Sequence, residues 1–313
     1  MDKQIAITGT GAVSGLGYTV QEHIQNILAG KMPRNTITME QYGFDPSLSP
    51  RSFRARDLTE GPITTICSIP RTNEEFAEAH GIKKPSRLGR FHLLAFHVAQ
   101  EALKQACMDG GSTEHEIGCF FATGGSGIVE EMPGNAVLSQ GKRLDPFAII
   151  RFLPGMLSGI IAQMCGLTGP GGVSASGCTA GSYSVVEGAE AIKSGRIQFA
   201  LCGGSEAPIA RLSVAGFCGA GVLSNESRPF HKNRSGLVLS EGAGVLMLQD
   251  ASSVSSTVPT LARLAGYGNV ISLPRGEAIT DLSPQSVAQV ARQALTMAGI
   301  QADDVGCAHT HST

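Results

Sequence analysis

The sequence predicts an α/β protein built on a parallel-rich sheet that is covered on both faces. Two observations carry this. Short apolar runs at 4–8, 117–122 and 197–203 have the length and composition of buried strands. Between such runs lie segments with apolar residues at helical spacing, clearest in 88–108, where Phe91, Leu94, Ala95, Val98, Leu103 and Ala106 share a face. Apolar strands alternating with helices need helices on both faces of their sheet.

The elements follow in order. Residues 4–8 read as a short buried strand, followed by Gly9, Gly11, Gly15 and Gly17, read as tight turns and close backbone packing, and by a helix near 19–29. The stretch 31–86 is rich in Pro and polar residues and reads as loops and short pieces over the core. The helix at 88–108 leads to a wholly apolar strand, IGCFFA, ended by Thr123-Gly-Gly-Ser-Gly127. Residues 147–165 are apolar and helical, with Pro154 placed to kink them. A short strand at 171–176, a helix from about 179 to 194, a strand at 197–203 and one or two strands in 236–249 complete the first unit. A Ser/Thr-rich stretch at 251–258 separates a second unit, read as strand 259–269, helix 283–299 and strand 304–309. The chain therefore divides into residues 1–250 and the start of another unit over 251–313.

Composition excludes several function classes. Apolar residues are 42% of the chain and charged residues 16%, a core-rich balance that argues against disorder. A net charge of −2 offers nucleic acid no electrostatic footprint. The eight Cys form no CxxC pair and no zinc spacing with His. Most lie in apolar runs, which suits small buried hydrophobes in a reducing, cytoplasmic setting. The N-terminus lacks the layout of a signal peptide, and no run of about 18 apolar residues predicts a membrane span. The glycines of ITGTGAVSGLG fit a dinucleotide fingerprint poorly. No metal or organic cofactor is implied.

The most informative segment runs from Val173 to Ile192, where a strand turns sharply into a helix with Cys178 at the turn. A Cys at a helix N-terminus feels the positive end of the dipole and the unpaired backbone N–H groups, which favour the thiolate and can also hold an oxyanion. A small buried Cys ahead of a core helix has the same pattern, so the residues alone leave both readings open. The helix after it carries Ala180, Gly181, Gly188, Ala189 and Ala191 and is expected to be buried.

The segment SASGCTAGSYSVVEGAEAIKSGRIQFALCGGSEA is similar to the active-site segment of β-ketoacyl synthases. In that family a strand leads into a nucleophilic Cys, a buried helix, and a strand ending in Gly-Gly with an acidic residue. Cys178 matches the nucleophile, and Gly203, Gly204 and Glu206 match the strand end. A second long run, from Ser227 to Leu248, resembles the family's SRPFD-xx-RDGFV-xx-EGAG pattern. ITGTGAVSGLG, SRLGRFHLLAFHVAQEAL at 86–103 and FATGGSG at 121–127 add weaker matches in the right order.

The resemblance implies a thiolase-like fold of duplicated βαβ layers, with helices covering mixed sheets, its second half incomplete here. It implies a decarboxylative Claisen condensation in fatty acid or polyketide-type synthesis. An acyl group moves from a carrier thioester to Cys178, and the carbanion left by decarboxylation of a malonyl thioester attacks it. Two His donors stabilise the enolate in the family. His309, in Cys307-Ala-His-Thr-His-Ser-Thr313, falls on the first, with Thr310 and His311 where the motif has Gly and Thr. The catalytic Lys, the second His and a Gly-Phe-Gly-Gly loop lie beyond the family positions matched up to Thr313. The expectation is a truncated chain, one completed by a partner, or a degenerate relative.

By resemblance the partners are an acyl carrier protein and a second ketosynthase subunit, as homodimer or heterodimer. Lys83, Lys84, Arg87 and Arg90 are candidates to meet the acidic carrier, or else a solvated charge run. Phe217 falls near the family's acyl pocket, with core packing as the alternative, and Glu241 is read as structural, holding a turn. Two other functions compete. One is a non-catalytic subunit, similar to a chain-length factor, that shapes a partner's acyl tunnel. The other is a thiolase or another acyl-Cys transferase, which the RPF…EGAG run disfavours.

Overall fold

The computed structural model describes residues 3–33, 35–37, 64–109, 116–125, 127, 137–272 and 283–311. About half of the stretch read as loops at 31–86, residues 34 and 38–63, lies outside them. Nine strands, β1 (Ile5–Ser14), β2 (Asn35–Ile37), β3 (Thr64–Cys67), β4 (Ile117–Ala122), β5 (Gly171–Ser174), β6 (Phe199–Glu206), β7 (Leu239–Ser240), β8 (Gly242–Asp250) and β9 (Ala262–Leu264), are named among them. The helices are α1 (Val20–Leu28), α2 (Asn73–Ala79), α3 (Arg90–Gln105), α4 (Ala148–Phe152), α5 (Leu157–Cys165), α6 (Ala180–Lys193), α7 (Arg211–Gly219) and α8 (Pro284–Ala298).

Six strands form one sheet in the order β5-β4-β6-β8-β1-β9, and β2-β3-β7 form a second, smaller one. The large sheet is mixed. β5, β4 and β6 run parallel, whereas β8, β1 and β9 join by antiparallel pairing. The expectation of a parallel-rich sheet is therefore corrected to two parallel and three antiparallel pairings. Burial on both faces produces apolar runs in strands of either direction, so direction is not written in the pattern.

Side chains alternate across this sheet and feed two cores. On one face Phe121, Phe199, Leu201, Val245 and Met247 pack with α3 and α5. On the other, Phe120, Ala200, Cys202 and Leu248 pack with Ala189 and Ile192 of α6. The helix expected to be buried is half-buried: Ser184, Gly188, Ala189, Ala191 and Ile192 are covered, while Ser182, Tyr183 and Glu190 are exposed. Among the described residues only one of its faces meets the sheet.

Of the two readings, turn or close backbone packing, Gly9 and Gly11 take the second. Both lie inside β1, where α3 presses on the strand. A Cβ on Gly9 would sit 2.1 Å from the Ala102 carbonyl oxygen, and one on Gly11 2.1 Å from that of Val98. Gly11→Ala is accordingly expected to destabilise by about 1–3 kcal/mol through overpacking, read as a lower denaturant midpoint at unchanged slope.

Other boundaries have local causes. Thr19 caps α1 by accepting from Glu22 N at 3.2 Å. Pro154 does more than kink: Leu153 is extended at ψ 110°, as a residue before proline prefers, and the apolar stretch splits into α4, a 3₁₀ turn and α5. The strand expected at 304–309 is absent. A 3₁₀ turn at Ala302–Asp304 is followed by exposed chain without regular structure, and no described strand lies alongside to pair with it. No helix among the described residues is long and apolar enough to cross a membrane.

Candidate active site

The elbow at Cys178 is built by backbone geometry. Gly177 adopts φ +65°, which a glycine enters without steric penalty, and Cys178 follows in a single 3₁₀ turn, Gly177–Thr179, that runs into α6. A chain of hydroxyls braces it. Ser174 Oγ lies 3.2 Å from Ser176 Oγ, which lies 3.3 Å from Thr179 Oγ1, and Thr179 Oγ1 donates to the Ser176 carbonyl at 3.2 Å. The sequence reading missed this brace, although its signal, Ser-x-Ser-x-x-Thr around the Cys, is plain. Deeper in, Ser184 Oγ donates to Gly203 O at 2.9 Å and ties α6 to β6.

A cavity of about 240 Å³ opens beside the elbow, between the ends of β4, β6 and β8 and the first turn of α6. Most of its lining is Gly or Ala, so a ligand can approach backbone directly. Glu206 supplies the carboxylate, accepting from Thr123 Oγ1 at 3.3 Å and from Gly124 N. A larger groove of about 1290 Å³ runs between α6 and α8, with Tyr183, Glu187, Tyr267 and Arg292 on its walls and none of the sequence-derived candidates. Tyr267 Oη donates to Glu190 Oε1 there at 2.6 Å.

Burial sorts the thiols. It pushes Cys165 up to about 11 and raises Cys119, Cys202 and Cys67 as well, which holds them as inert thiols. Cys107, Cys178 and Cys307 are exposed. Of these three, Cys178 alone sits at a strand-to-helix elbow with a cavity beside it. The side chain of Cys218 lies outside the described residues.

The other candidates are not brought to this point. His309 is exposed on the segment after Ala302–Asp304 and does not line the cavity. Phe217, on α7, is 39% exposed and stands outside the buried clusters, which removes the core-packing alternative. The four basic residues do not make one open patch. Arg90 is turned inward, onto Glu241, while Lys83, Lys84 and Arg87 are exposed, Arg87 stacking over the Phe147 ring at 4.3 Å. Glu241 is structural, as expected: it is buried, accepts from Ile69 N at 2.8 Å and grips Arg90. Among the described residues no His, Cys, Asp and Glu cluster could hold a metal ion.

The family described as "Beta-ketoacyl synthase, N-terminal domain" matches residues 2–253. A 3-oxoacyl-[acyl-carrier-protein] synthase 2 of Staphylococcus aureus (strain N315) is 28% identical over 329 aligned residues, covering 100% of this chain and 73% of that protein. The solved structure of a β-ketoacyl synthase from Burkholderia phymatum STM815 superposes with a TM-score of 0.80 at 22% identity, over 99% of this chain and 74% of its own. That of the ishigamide ketosynthase/chain length factor gives 0.79 at 24%, over 97% and 72%. Both share the thiolase-like α/β fold.

Proposed function

The chain belongs to the β-ketoacyl synthase family, and from that premise we propose that it condenses an acyl thioester held on Cys178 with a malonyl-carrier thioester. The observation that carries this reading is an exposed thiol at the elbow, beside a cavity lined by backbone. The Cys178 thiolate attacks the acyl carbonyl, the new C–S bond forms, and the carrier thiol leaves. The malonyl group then loses carbon dioxide, its enolate attacks the acyl carbon, and the Cys178 sulfur departs as thiolate. His309 is the proposed donor to the enolate oxygen, which requires its exposed segment to close on the cavity. Phe217 lines the acyl path in this reading. An acyl carrier protein delivers both substrates, to a homodimer or a heterodimer in the cytoplasm.

The test is the intact mass of the chain after incubation with an acyl-carrier thioester. An acyl adduct on the peptide that carries Cys178 is expected, and none at that position in Cys178→Ala. A second reading has a specific support, the exposed position of His309 away from the cavity. It makes the chain a non-catalytic subunit that shapes a ketosynthase partner's tunnel. Acylation of a co-purifying ketosynthase, with none on this chain, would establish that role.

A further inference from the structure

Ser14 ends β1, and His23 lies in the first turn of α1, on the opposite side of a tight turn. Ser14 Oγ and His23 Nε2 are 2.7 Å apart, and His23 Nδ1 is 2.7 Å from the carbonyl oxygen of Thr19. A carbonyl oxygen only accepts, so the ring proton sits on Nδ1 and Nε2 presents its lone pair. Ser14 therefore donates its hydroxyl proton to His23. A nucleophile, a base and a group that orients the base stand in sequence, the arrangement that activates a hydroxyl for covalent catalysis.

The surroundings keep the pair in place and leave it reachable. Ser14 N donates to Gly17 O at 3.0 Å and Gly17 N to Ser14 O at 3.1 Å, which closes the turn. The N–H of Leu16 donates to Ser14 Oγ at 3.1 Å, which fixes the hydroxyl oxygen in the turn. Both side chains are partly exposed. The condensation proposed above uses neither residue.

We propose that Ser14 and His23 form a second acyl-accepting site, for activated esters and thioesters. Ser14 Oγ attacks the carbonyl carbon as its proton passes to His23 Nε2. The tetrahedral adduct expels the alkoxide or thiolate, which takes that proton from His23, and the acyl group remains as a serine ester. No other reactant is needed. Efficient hydrolases use more than one oxyanion donor, and each is worth roughly 10²–10³ in rate. The Leu16 N–H holds the nucleophilic oxygen and not the substrate oxyanion, so the expected behaviour is stoichiometric acylation followed by slow hydrolysis.

The experiment incubates the full chain with p-nitrophenyl acetate and maps the acetyl group by peptide mass spectrometry. Acetylation of the peptide that carries Ser14 is expected, with a burst of about one equivalent of p-nitrophenolate from this site. It should vanish in Ser14→Ala and slow by roughly 10²-fold or more in His23→Gln, the usual size of a general-base contribution. Acetylation of Cys178 falls on a different peptide, so the outcome stands apart from the condensing reading. No acetyl group on Ser14, or an unchanged rate in folded His23→Gln, overturns the proposal. Should His23→Gln fail to fold by circular dichroism, a fluorophosphonate decides on the native chain, since it labels base-activated serines: a label on Ser14 sustains the site and none removes it.

Discussion

Glu241→Ala is expected to lower the free energy of unfolding by about 3–5 kcal/mol, the range for breaking a buried ion pair by deleting one partner. Glu241 is only 5% exposed. Its Oε2 accepts from Arg90 Nε at 2.6 Å, and its Oε1 accepts from Arg90 Nη2 at 2.7 Å and from Ile69 N at 2.8 Å. Arg90 also donates to the carbonyls of Ile69 and Arg71 and to Asn73 Oδ1. Truncation leaves the guanidinium with three neutral acceptors and no counter-charge, and strands the Ile69 N–H. Arg90→Lys should also destabilise, because an ammonium cannot span both carboxylate oxygens and the three acceptors beyond. Glu241→Leu with Arg90→Leu should lose less than the sum of the single changes, since neither charge is then left alone. Urea unfolding of the four proteins decides. A loss under about 1 kcal/mol for Glu241→Ala would mean that the pair is solvated and merely decorative.

Acid should weaken the fold through His92 well before carboxylates protonate. His92 is completely buried, its Nδ1 accepts from Gly89 N at 3.0 Å, and its Nε2 has no hydrogen-bond partner among the described residues. Burial lowers its pKa from 6.5 to about 4. A proton on Nδ1 would face the Gly89 N–H donor to donor, so the cation loses the bond as well as its hydration. The sign follows from proton binding. Between pH 6.5 and about 4 the unfolded chain holds the His92 proton and the folded chain does not, so stability is full above pH 6.5 and falls as pH drops. The whole shift corresponds to roughly 3 kcal/mol, of which about 2 is gone by pH 5. His80 is also lowered, by burial first, with His97 and Arg71 adding to it, and it pulls the same way. His92→Gln should remove about one proton from the slope of stability against pH. An unchanged slope in that variant would clear His92 of the effect.

The elbow was legible because its instructions are local: a strand, a glycine that can take positive φ, and a helix of small residues adjoin one another at Gly171–Lys193. What the sequence hid was long-range. β1 lies beside β8, Arg90 reaches a carboxylate 151 residues away, and neither pairing leaves a periodic trace. Arg90 looked like one more surface cation for that reason. Gly9 and Gly11 could be read as turns or as close packing, because a glycine needed for close approach of a helix is written with the same letter as one needed for positive φ. The failed strand at 304–309 has the converse cause: its apolar letters were real, but a strand exists only beside a partner.

The place of β1 also governs how this protein is made. Ile5 pairs with Asp250, so β1 leaves the ribosome well ahead of its long neighbour, β8. At roughly 5–20 residues per second that wait lasts on the order of tens of seconds. Meanwhile the α3 helix has emerged and can shelter the strand, with Gly9 and Gly11 giving it a seat. The nascent chain thus carries an unpaired, apolar strand until β8 emerges, and its yield in a cell should respond to chaperone supply more than its final stability would suggest.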